Sequence, residues 1–77
     1  MLKVVIGYIR VDSEDTMEEI SGIINPSSTI VEEEEADYML ISAVDPEILD
    51  ILYRDGYITE EDYDEAPECD ALKFYVD

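Results

Sequence analysis

The sequence predicts one small α+β domain with the element order β-α-β-β-α(α)-β, its sheet antiparallel and its helices on one face. Three observations predict it. Runs rich in β-branched and aromatic residues recur at 2–11, 29–31, 38–44 and 72–76. Between them, apolar residues fall at helical spacing behind polar capping residues. Finally, 77 residues give one domain with a thin core, burying only about 60% of the unfolded chain's surface.

Each element has its own signature. In the run from Leu2 to Val11, Leu2, Val4, Ile6 and Tyr8 alternate with Val5, Ile9 and Val11, so both faces are apolar, the pattern of a central strand. Gly7 within it marks a bulge or a close backbone approach. Asp12 or Ser13 caps a helix that Glu14 and Asp15 favour through its dipole. Met17, Ile20, Ile23 and Ile24 form its buried stripe, and Asn25-Pro26 ends it. Residues 28–44 read as a hairpin of two strands, with the glutamates of IVEEEEADY at the end of the first strand or between the two. A helix over VEEEEADYML is the alternative, because Glu and Ala are good helix formers. Asp45-Pro46-Glu47 opens a helix with Pro at its first position, and Asp55-Gly56 closes it. Thr59-Glu60-Glu61-Asp62 opens a short second helix, with Ile58 and Tyr63 placed as a hydrophobic staple. Pro67 ends it, and Leu72–Val76 is the last strand. Tyr8, Tyr38 and Phe74 are expected to pack in the sheet; Tyr53, Tyr57 and Tyr63 lie by the acid-rich hairpin, partly exposed.

This element order is that of a ferredoxin-like split βαβ domain, although order alone leaves other small α+β pairings open. The segment LYRDGYITEEDYDE is similar to the helix–Gly–Ile-Thr–Glu-Glu hairpin of short oligomerisation modules such as the SHOCT family. The likeness spans about 14 residues of generic helix–turn–helix chemistry and implies no function.

The charge is the outlier. Twenty-two Asp and Glu face four Lys and Arg, with no His, for a net charge of −18. A small soluble domain needs a magnitude of only about 2–8. Such a chain avoids nucleic acid and anionic membranes, and it is drawn to basic surfaces at low salt. Ten isoleucines and six tyrosines make it too apolar for a disordered acidic tail. The lone cysteine, Cys69, forms no internal disulfide, and the first ten residues lack the apolar core of a signal peptide. A soluble, cytoplasmic protein is expected.

Catalysis finds little support. A Cys or Ser nucleophile needs a base, and no His is present to act as one. Cys69 lies between Glu68 and Asp70, which raise its thiol pKa. Carboxylates are too abundant for any pair to signal acid–base chemistry. Asp62, Asp64, Glu65 and Glu68 cluster, but the EF-hand spacing is absent, so neither metal nor cofactor is expected.

The acids fall in four blocks: Asp12–Glu19, Glu32–Asp37, Asp45–Asp50 and Asp55–Asp70. A compact chain of this length is about 30 Å across, and about 30 Å of duplex DNA carries on the order of 18 charges. In size, charge and compactness the chain resembles the small acidic phage-encoded inhibitors that imitate nucleic acid. These include DNA-mimic anti-CRISPR proteins and inhibitors of restriction enzymes and DNA glycosylases. The resemblance covers the whole chain and no single motif. It implies competitive blocking, without catalysis, of a basic nucleic-acid-binding host protein such as a Cas effector. The residues expected to imitate phosphate are Glu32, Glu33, Glu34, Glu35 and Asp37, then Glu60, Glu61, Asp62, Asp64 and Glu65, with Asp55 and Tyr57 flanking the second group. An acidic regulatory or antitoxin-like partner module and a halophilic domain share the same composition. If the glutamate run continues a strand, its residues alternate between faces, and only two or three serve one contact.

Overall fold

The computed structural model describes residues 4–77. Within them the chain forms β1 (Ile6–Val11), α1 (Glu14–Ile24), β2 (Ile30–Glu34), β3 (Tyr38–Ser42), α2 (Pro46–Arg54), α3 (Glu60–Glu65), a 3-10 turn (Ala66–Glu68) and β4 (Ala71–Val76). This is the expected α+β element order. Residues 28–44 are a hairpin, and the helix alternative for the glutamate run is set aside. Leu2, counted in the first strand, lies outside the described residues.

Local chemistry accounts for the boundaries. Ser13 caps α1, its hydroxyl accepting from Thr16 N–H, and Asp45 caps α2, its carboxylate accepting from Glu47 N–H, with Pro46 at the first position. Gly56 takes φ +83° past the end of α2, where a side chain would be strained. Thr59 and Asp62 form a reciprocal capping box at α3.

The sheet order is β1-β4-β3-β2, with β1–β4 parallel and the other two pairs antiparallel. The sheet is therefore mixed, a correction to the antiparallel sheet expected. A split βαβ unit of the ferredoxin-like kind sets one strand between its parallel partners; here β4 and β3 both lie between β1 and β2. β1 is an edge strand, where a central one was expected. Its two apolar faces mislead because only one of them is covered.

Register shows which face is which. Gly7, Leu72, Ile41 and Val31 form one row across the sheet; Ile9, Phe74, Met39 and Glu34 form the next. Ile9, Leu72, Phe74, Met39 and Ile41 are buried here with Met17, Ile20 and Ile24 of α1 and Leu49 and Leu52 of α2. Each fully buried side chain of this size contributes about 1.5–3 kcal/mol, so this one layer of contacts carries most of the stability. Gly7 is a close approach: a Cβ there would meet Cys69 Sγ and Leu72 Cδ2 at 2.9 Å. No bulge interrupts β1, whose pairing to β4 runs unbroken.

No helix lies over the opposite face. Its rows are Ile6–Ala71–Ser42–Ile30, Tyr8–Lys73–Leu40–Glu33 and Arg10–Tyr75–Tyr38. Tyr8, expected among the packed residues, stands exposed there, while Phe74 is buried and Tyr38 half-buried. Lys73 covers the Tyr38 ring at 5.0 Å from its centroid, and Arg10 pairs with Asp77 at 3.1 Å.

Candidate protein-docking surface

The glutamate run is divided by a β-bulge. Val31 pairs with Ile41 and Glu33 with Leu40, which leaves Glu32 as the extra residue. Glu32 and Glu33 therefore both point to the open face, where Ser42 Oγ donates to Glu32 Oε1 at 2.8 Å. Burial, then Glu33, Glu35 and Asp37, push the Tyr38 hydroxyl above its ordinary pKa. Glu34 turns to the helix side, where the buried Ser21 hydroxyl donates to its Oε1 at 2.5 Å. Glu35 begins the turn, and the Asp37 carbonyl accepts from Val76 N–H.

Glu34 and Glu35 meet acids from elsewhere in the chain. Because β1 and β2 point the same way, α1 starts at the end of the sheet where β2 finishes. There Glu14, Asp15 and Glu18 face Glu34 and Glu35 across an open groove of about 560 Å³, floored by Met17 and Ala36. Five carboxylates thus line one depression. The three from α1 were not among the residues expected from sequence. Their only signal was position: the first two turns of a helix that crosses between parallel strands.

The second group lies elsewhere. Asp62 and Glu65 of α3 share a small cavity with Gly7, Tyr8 and Ile9, beside β1. The opposite edge, β2, is about 14 Å away by strand spacing, so the two groups are not one patch. Glu60, Glu61, Asp64 and Glu65 are exposed; Asp62 is half-buried, its carboxylate accepting from Thr59 N–H at 3.3 Å. Tyr57 is half-buried and set against Glu19, with Asp55 near; burial, then these acids, raise its pKa. Tyr63 donates to Asp50, which raises the tyrosine's pKa most, and its ring stacks on Tyr53 at 4.8 Å between centroids.

The charge is little neutralised within the fold. Of the 22 acids only Asp45 and Asp62 are half-buried, and the rest are exposed. Among the described residues Arg10–Asp77 is the one ion pair. The described cations are unevenly placed: Arg10 and Lys73 sit on the open face and Arg54 on α2. Among the described residues no group of three or more Cys, Asp or Glu side chains is placed to hold a metal ion, and no helix is long and apolar enough to cross a membrane. Burial, then Glu65, Glu68 and Asp70, raise the Cys69 thiol.

No family model, curated protein or solved structure matches this chain.

Proposed function

We propose that this protein is an inhibitor that offers phosphate-like charge to the basic nucleic-acid-binding site of a host defence protein such as a CRISPR–Cas complex. The observation that carries the reading is the unneutralised carboxylate surface concentrated on the helix side and its groove, with a single internal ion pair among the described residues. Fixed carboxylates on ordered elements form charge-assisted hydrogen bonds with Lys and Arg at less entropic cost than a disordered acidic tail. The molecule measures 38 × 24 × 24 Å. Duplex DNA of that 38 Å length carries about 22 phosphates, which is comparable to the number of acids here. A solvating coat of the halophilic kind has no reason to favour one face, whereas the central rows of the open face hold acids on β2 alone and none on β1, β3 or β4.

The test is capture from host extract, followed by competition. The captured protein should be basic and bind DNA or RNA, and this protein should displace that ligand, with affinity falling steeply as salt rises. Lysine replacement of Glu14, Asp15, Glu18, Glu34 and Glu35 should slow association most. If charge reversal in the groove, at 32–37 and at 60–65 leaves affinity unchanged, the reading fails. Capture of a protein with no nucleic-acid site would favour an acidic regulatory module.

A further inference from the structure

The sequence treats the two edges of the sheet differently. β2 carries a bulge and three consecutive glutamates, Glu32 to Glu34, and both features obstruct pairing with another strand. β1 carries neither: its pairing with β4 is unbroken, and 4–11 holds no acid and no proline. Ala71 N–H donates to the Val5 carbonyl. In a parallel ladder, Val5, Gly7 and Ile9 then turn their backbone groups to β4, and Ile6, Tyr8 and Arg10 turn theirs outward. Exposed apolar surface collects at this strand and just before it, with Val4 65%, Ile6 39% and Tyr8 63% exposed.

We propose that β1 pairs antiparallel with β1 of a second copy of this chain, joining two four-stranded sheets into one. The guarded β2 edge argues for a second copy as the occupant. A sheet open at both edges grows without limit, whereas one open at a single edge closes as a two-fold dimer. The strand is also its own complement. A two-fold axis beside Tyr8 sets Tyr8 against Tyr8 and Ile6 against Arg10 of the second copy, so no like charges oppose each other in the pair. Repulsion arises elsewhere, between the net charges and between the Asp62 and Glu65 carboxylates on the helix side of this edge. The dimer therefore strengthens with salt, the reverse of docking on a basic partner.

Sedimentation equilibrium across salt tests this. At about 0.2 mM protein the mass should rise from near 8.8 kDa in about 0.02 M NaCl to twice that in about 0.5 M NaCl. Tyr8→Lys sets like charges across the axis, and Tyr8→Pro removes an N–H that the fold itself leaves free. Each should lower the association constant about tenfold or more while circular dichroism stays unchanged. If Tyr8→Pro fails to fold, Tyr8→Lys still decides. The Glu32→Thr/Glu33→Thr variant should grow beyond the dimer. A wild type that stays monomeric at high salt, a dimer indifferent to both Tyr8 variants, or a β2 variant that stays dimeric would each overturn the proposal.

Discussion

At Gly7 an added methyl group has no room. Its Cβ would sit 2.9 Å from both Cys69 Sγ and the buried Leu72 Cδ2. Gly7→Ala should cost about 1–3 kcal/mol in urea unfolding, as overpacking does. Adding Cys69→Ala removes one of the two clashes and should recover part of the loss, a non-additivity that a double-mutant cycle reads directly. Tyr38, Tyr57 and Tyr63 make a different residue-scale prediction. Each has its pKa raised in the fold, Tyr38 and Tyr57 first by burial and Tyr63 first by its hydrogen bond to Asp50. A raised folded-state pKa contributes stability that is present below the unfolded value, about 10 for tyrosine, and is lost as pH rises through the folded value. Spectroscopic titration should find these three tyrosines ionising above the ordinary tyrosine value of about 10, with the thermal midpoint falling over the same alkaline range.

The helix caps and the hairpin were legible in the sequence because their causes are local. Ser13, Asp45-Pro46, Gly56 and the Thr59/Asp62 box do what short-range chemistry asks of them. Strand order was not legible. Ile6 and Tyr8 give β1 a second apolar face, and neighbouring residues cannot reveal whether that face is covered or open. Nor could sequence reveal that Glu14, Asp15 and Glu18 stand opposite Glu34 and Glu35, since that depends on which way β2 runs. The bulge lies between these cases: the glutamate run was visible, but that Glu32 and Glu33 share one face while Glu34 turns to the other was not, because one extra residue reverses the alternation. At α3, which buries none of its own residues, the cap matters most. Thr59→Ala should cost about 1 kcal/mol, measured by chemical unfolding.

The whole molecule is polarised, with most carboxylates over the helix side, and Arg10 and Lys73 on the open face beside Glu32 and Glu33 at its β2 edge. Because the acids are neutralised by so few partners, self-repulsion works against the fold and screening relieves it. The thermal midpoint should therefore rise with salt between about 0.02 and 0.5 M, with the protein folded at the lower limit. Unfolding at the lower limit would instead favour a halophilic domain. The parallel pairing of β1 with β4 has a mechanical consequence. A pull applied between Ile6, at the start of β1, and Val76, at the end of β4, slides the two strands lengthwise past each other. The load then falls on all six register pairs from Ile6↔Ala71 to Val11↔Val76 at once. Stretched along that axis, the domain yields in shear, and its rupture force reports the unfolding barrier, not the equilibrium stability.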